Sequence, residues 1–252
     1  MLTTINKIDL SISSPPSQDS DFFLRLALFI TVFVFSGFIV NWIVNPENLG
    51  RVTLWIGLHG TFSAAWYLLL LNQLRLSRSG HLATHKRLGK LSALLVIAII
   101  VTGMIMVLDL YQRLVDIGMF NPSDEIARTR AGGLIGSTFL QWAIFAILFV
   151  MGILNVRTPT HHKRFMLAAA IQMMPEGLNR FIHLLGLPGY AMLIMIFLIY
   201  LSIITYDWKT ERRLHWSTLF SLGLFVLLAT SIYTVFRSQV WGDWVVKMLS
   251  GI

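Results

Sequence analysis

Two stretches of the chain repeat a histidine, a basic pair and a bulky apolar residue: His85-Lys86-Arg87-Leu88 and His162-Lys163-Arg164-Phe165. Imidazole is the commonest protein ligand for a metal ion. Two imidazoles facing each other from separate helices can hold a heme iron from both sides. The adjacent Lys86, Arg87, Lys163 and Arg164 are of the type that pairs with heme propionates through charge-assisted hydrogen bonds. A plainer role stands beside this one. Lys and Arg commonly anchor helix ends at a membrane surface, and a histidine among them is ordinary. His81, His161 and His215 lie in similarly basic surroundings.

A second polar set falls inside an apolar stretch. Gln172, Glu176, Arg180 and His183 follow one another at intervals of four, four and three, with Asn179 between them. At about 100° per residue they share one helical stripe. His59, Ser63, Trp66 and Gln73 make a comparable stripe, and Gln141 and Asp109 lie where they could join it. Ionisable groups at membrane depth mark functional sites by default. The expectation is a polar pocket of Gln141, Gln172, Glu176, Arg180 and His183 in the outer half of the bundle, with His59 lining it. Within it His59, Glu176 and His183 form a possible three-ligand set for a divalent metal with one position left for water. Equally open are an intrahelical Glu176–Arg180 ion pair, a proton or substrate relay in a carrier, and His59 and Gln141 acting as interhelical glue.

The elements that must position these residues are helices in a bilayer. Of 252 residues 56% are hydrophobic and 13% charged, about half the charge of a soluble domain, and the mean hydropathy is +0.70. Seven apolar segments are legible: Phe22–Val44, Val52–Leu74, Leu88–Leu110, Gly133–Leu154, Phe165–Leu185, Gly189–Tyr206 and Leu214–Phe236. Each is near the ~20 residues a spanning helix needs, and none alternates as a membrane barrel strand would. The fold expected is all-α, a seven-helix transmembrane bundle over 22–236. A polar N-terminal tail (1–21) precedes it and a short amphipathic C-terminal tail (237–252) follows. Residues 1–21 lack the pattern of a signal peptide, and Met174-Pro175 predicts a bend in the fifth segment.

The net charge of +8 is not read as a nucleic-acid footprint, because most Lys and Arg lie in short loops after the second, fourth and sixth segments. By the positive-inside rule those loops are cytoplasmic, the N-terminus is inside and the C-terminus is periplasmic. There is no cysteine, so disulfides, thiolate metal sites and cysteine nucleophiles are excluded. Thr61-Phe62 and Thr138-Phe139 are offset by 77 residues, as are His85 and His162, and Trp66 and Trp142 match within one position. Helices 2–3 and 4–5 therefore read as a parallel internal duplication forming a four-helix core.

On these residues the chain resembles the transmembrane diheme cytochrome b family, which moves electrons from ascorbate across membranes, over about residues 52–185. The resemblance implies heme b, a four-helix core with one histidine per helix, and His59, His85 and His162 as ligands on the second, third and fifth helices. Gly136 stands where the fourth-helix ligand would fall. A nearer likeness is to uncharacterised bacterial multi-pass membrane proteins. It rests on His59, Trp66, Gln73, His85-Lys86-Arg87-Leu88-Gly89, His162-Lys163-Arg164-Phe165-Met166 and Arg180. That likeness implies a bacterial inner membrane and a multi-helix bundle, and brings no activity with it.

The function expected is thus a b-type-heme electron-transfer protein with His85 and His162 as axial ligands, working with a redox partner or a larger membrane complex. The alternatives are a cofactor-free carrier, assembly factor or membrane metalloenzyme using the polar pocket, or a structural subunit of a membrane complex. No Schiff-base lysine lies in 214–236, the glycines at 132–136 lack phosphate-loop spacing, and no nucleophile elbow is present.

Overall fold

A computed structural model describes the chain from residue 18 to residue 249, so most of the polar tail lies outside the described residues. The first helix, α1 (Gln18–Val44), starts one turn earlier than its apolar run. After a short 3-10 turn at Pro46–Arg51 come α2 (Leu54–Arg78) and α3 (Leu82–Asp116). α2 opens with the Thr53 hydroxyl accepting from the Ile56 N–H, a side-chain cap of the usual kind. α3 takes in Lys86, Arg87 and Lys90, because Lys and Arg are good helix formers and nothing after Gly80 breaks the turn. Gly80 itself has φ +75°, the left-handed conformation that ends a helix most readily at glycine.

α4 (Glu125–Leu154) is likewise longer than its apolar core, starting where the Asp124 carboxylate accepts from Ile126 N–H at 3.1 Å. The fifth apolar segment is two helices rather than one: α5 (Pro159–Gln172) and α6 (Pro175–Leu184). Pro175 has no N–H to give to the turn before it. The Met173 and Met174 N–H groups bond only three residues back, to Ala170 and Ile171. α7 (Tyr190–Tyr206) runs on into a π turn at Asp207–Glu211, closed by Arg212 at φ 54°. Then follow α8 (Trp216–Tyr233), a 3-10 turn and α9 (Gln239–Leu249). Among the described residues six helices are long and apolar enough to cross a membrane: α1, α2, α3, α4, α7 with its π turn, and α8 with its 3-10 turn. The protein is a multi-pass, all-helical membrane protein.

α2 pairs with α3, α4 with α5, α1 with α6, and α9 lies against α4. A continuous core joins Phe23 and Ile30 of α1, Trp66 and Tyr67 of α2, Phe145 and Leu148 of α4, Phe165 and Ile171 of α5, and Tyr200 of α7. Small residues set the closest crossings, as is usual between helices in lipid. Gly37 of α1 and Gly177 of α6 meet backbone to backbone, as do Gly132 of α4 and Gly242 of α9. A Cβ on Gly177 would lie 2.7 Å from the Val34 carbonyl oxygen. That contact is rigid on both sides. Gly177→Ala is therefore expected to lower stability by about 1–3 kcal/mol, read as a lower unfolding temperature in detergent. Gly60→Ala, where a Cβ meets open space, is the matched control.

Candidate functional site

The N-terminal turns of α3, α5 and α8, which carry the basic loops, come together at one end of the bundle. There the rings of His85 and His162 lie 6.2 Å apart between centroids, nearly perpendicular at 80°. The Nδ1 of His85 is 3.2 Å from the Gln73 carbonyl oxygen, and the Nδ1 of His162 is 2.8 Å from that of Gly152. A carbonyl only accepts, so each Nδ1 carries a proton, and in the neutral ring Nε2 is then the nitrogen with the lone pair. Each bond reaches back from the second helix of a hairpin to the first, α3 to α2 and α5 to α4. The Gln73 side-chain amide returns the contact, donating from Nε2 to the His85 carbonyl at 3.1 Å. A backbone bond that fixes Nδ1–H and frees Nε2 is how proteins orient metal-ligating imidazoles. With metal–nitrogen bonds of about 2.0–2.1 Å, two imidazoles on opposite sides of one ion have centroids about 6.3 Å apart. The observed spacing fits that arrangement.

His59 has the same tautomer. Its Nδ1 is 3.0 Å from the Ile99 carbonyl oxygen of α3, and its ring lies 5.8 Å from that of Trp142. It is buried, in a seat so tight that a Cβ on Gly103 would fall 2.8 Å from its Cε1. Gln141 and Gln172 are buried too, and the Gln172 Nε2 and Trp66 Nε1 are sealed from water without a hydrogen-bond partner among the described residues. The Trp66 ring stands edge-on to Phe145 and Phe149.

The rest of the expected pocket disperses. Glu176 and His183 are exposed on α6. Arg180 lays its guanidinium over the Phe38 ring of α1 at 3.9 Å and donates to the Glu176 carbonyl oxygen rather than to its carboxylate. His59, Glu176 and His183 are not among the described groups whose ligand atoms lie within 4.8 Å of one another. The reason is the break before Pro175. It turns α6 relative to α5, so a stripe continuous along one helix is split between two. Gly136, at the position of an expected fourth-helix ligand, is filled from outside: a Cβ there would meet Phe236 and Trp241.

A denser polar cluster lies beside the histidine pair. Arg164 of α5 and Asp207 at the π turn are both almost fully buried and form an ion pair. Arg164 Nε donates to Asp207 Oδ1 at 3.1 Å, Nη2 to Glu211 at 2.9 Å, and Nη1 to the Thr160 carbonyl at 2.8 Å. Thr218 donates to Asp207 Oδ2 at 2.8 Å, and His215 Nε2 lies 2.6 Å from Glu211. Asp207, Glu211 and His215 are a donor set of the kind that binds a metal, with ligand atoms within 4.8 Å of one another. Here Arg164 supplies the positive charge. His161 closes the edge, its Nε2 accepting from the Trp216 indole at 3.0 Å and its Nδ1 lying 2.9 Å from Ser217 Oγ.

This corrects one expectation from the sequence. Arg164 is engaged by carboxylates of the chain itself, and Lys163 lies over the Phe23 ring. Of the basic residues expected to face propionates, Lys86 and Arg87 stand exposed beside His85. The signal for the missed network was present. Asp207, Glu211 and His215 recur every fourth residue just past an apolar run, the spacing of groups stacked on one helical face.

Comparisons with protein-family models, with curated proteins and with solved structures found no match to this chain.

Proposed function

We propose that the protein is a b-type-cytochrome-like electron-transfer protein of a bacterial inner membrane. In this reading His85 and His162 clamp a heme iron near the end of the bundle that carries the basic loops. The observation that carries it is the matching Nδ1–carbonyl contact of two imidazoles whose centroids lie 6.2 Å apart, which leaves Nε2 of each as the nitrogen available to a metal. A low-spin heme held by two imidazoles would supply reversible one-electron chemistry. The chain's own contributions are separate from that chemistry. The Gln73 and Gly152 carbonyls orient the rings, Gln73 ties α2 to α3 at the ligand, and Lys86 and Arg87 offer charge to propionates.

Several finer features belong to the same proposal. α5 and α6 together make a seventh crossing, which puts the loops after α2, α4 and α7 on one side. By their charge that side is the cytoplasm, with the N-terminus inside and the C-terminus outside. The duplication of helices 2–3 and 4–5 is supported by the matching bonds of His85 to Gln73 and His162 to Gly152, each joining the second helix of a hairpin to the first. A single heme is favoured over two, since Gly136 is filled by Phe236 and Trp241. The likeness to bacterial multi-pass proteins points the same way on location.

The deciding experiment is the visible spectrum of the protein, expressed with heme available and purified in detergent, before and after dithionite. Sharp α and β bands on reduction are the expected result. A colourless protein would end the heme reading and leave the histidine pair as a bare metal site or as a staple of the two hairpins.

A further inference from the structure

Far from the histidine pair, where α9 lies against the first half of α4, a cavity of about 750 Å³ opens between α4 and the end of α8. Its walls are apolar at Leu134, Ile232 and Phe236 and cationic at Arg130 and Arg237. Arg130 also borders a second cavity, of about 390 Å³, walled by Tyr111, Leu114 and Phe120. One guanidinium thus stands between two spaces with greasy walls. It forms no hydrogen bond or ion pair among the described residues, whereas its neighbour Arg128 is paired with Asp243. The Arg237 guanidinium lies over the Tyr233 ring at 4.5 Å, leaving its N–H edge for an acceptor. Glu125 is the carboxylate on the first cavity's wall and Asp124 that on the second. The Asp124 side chain is occupied as the cap of α4.

The depth of the site follows from α9. Val240, Trp244 and Met248 recur every fourth residue on its outer side and are all exposed. Trp241, facing inward, donates from its indole to the Gly132 carbonyl at 2.8 Å. A helix with one face on protein and a Trp-containing apolar face outside lies at a membrane interface, where headgroups are. An unpaired guanidinium at that level is the usual partner of a phosphate.

We propose that this cleft binds an anionic phospholipid of the surrounding bilayer. Arg130 and Arg237 meet the phosphodiester, and acyl chains run along the walls of the two cavities. The proposal is independent of the heme reading. It is tested by native mass spectrometry of the detergent-purified protein. The titrants are dioleoyl phosphatidylglycerol, dioleoyl phosphatidylcholine and water-soluble glycerol 3-phosphate. Wild type is expected to prefer the anionic lipid by about tenfold or more. Arg130→Gln with Arg237→Gln should erase that preference, while Arg25→Gln, on a different helix, should keep it. Both target side chains are exposed, and an unchanged unfolding temperature in the double variant shows that folding is intact. Equal binding of the two lipids by wild type would overturn the proposal, as would a preference surviving in the double variant. Competition by glycerol 3-phosphate at concentrations similar to those of the lipid would also overturn it, in favour of a soluble anion.

Discussion

Asp207→Ala is expected to destabilise the protein by about 3–5 kcal/mol, the range for removing one partner of a buried ion pair. In a chain of this size that corresponds to a fall in unfolding temperature on the order of 10 °C. The damage lies less in the lost attraction than in what remains. Arg164 is buried, and without Asp207 the hydrogen-bond acceptors left to its guanidinium among the described residues are Glu211 and the Thr160 carbonyl. The Thr218 hydroxyl loses its acceptor as well. The same reasoning predicts compensation: the pair Arg164→Met with Asp207→Leu removes both fully buried charges, leaves the partly exposed Glu211 with His215, and should recover most of the loss. Thermal unfolding in detergent, followed by size exclusion, measures both variants. A single variant within about 1 kcal/mol of wild type would show that water reaches the pair and screens it.

The second large effect concerns the histidine pair. If the proposed heme is bound, His85→Ala and His162→Ala are each expected to abolish the absorbance of the reduced protein, while His59→Ala and Glu176→Gln leave it in place. On the heme proposal each alanine would remove a nitrogen that holds the iron, whereas His59 is seated against Gly103 and Trp142 and Glu176 lies on the outer surface of α6. Added imidazole should restore the bands in the two alanine variants, because a small ligand can enter the space left by the side chain. Rescue separates lost ligation from lost structure. If pigment follows His59 or Glu176 instead, the site lies elsewhere in the bundle.

Much of this was legible in the chain. Apolar runs near 20 residues in length give the helices their places because the bilayer imposes that length on any helix that crosses it. The repeat of His-Lys-Arg pointed to two helix starts that meet. What the pattern hid was tertiary. Reading Gln172 to His183 as one stripe assumes an unbroken 3.6-residue period, and Pro175 interrupts that period. The helical periodicity of a run says which residues share a face, not which neighbour the face meets, so Arg180 reaching Phe38 was out of range. The Arg164 network was hidden for another reason. A basic residue beside a histidine reads as an interfacial anchor, and its burial depends on a π turn that places Asp207 against it from more than 40 positions away.

The interruption at Met173 and Met174 also divides one crossing between two sets of anchors. On one side α5 is fastened by Arg164 to the end of α7 and to the turn before α8. On the other, α6 is fastened to α1 by the meeting of Gly37 and Gly177. Two methionines, the most pliant of apolar side chains, are all that joins these anchored halves along the chain. The crossing is thereby held as two separately anchored halves, and α1 reaches both of them, α6 through Gly37 and the start of α5 through the Phe23 ring under Lys163.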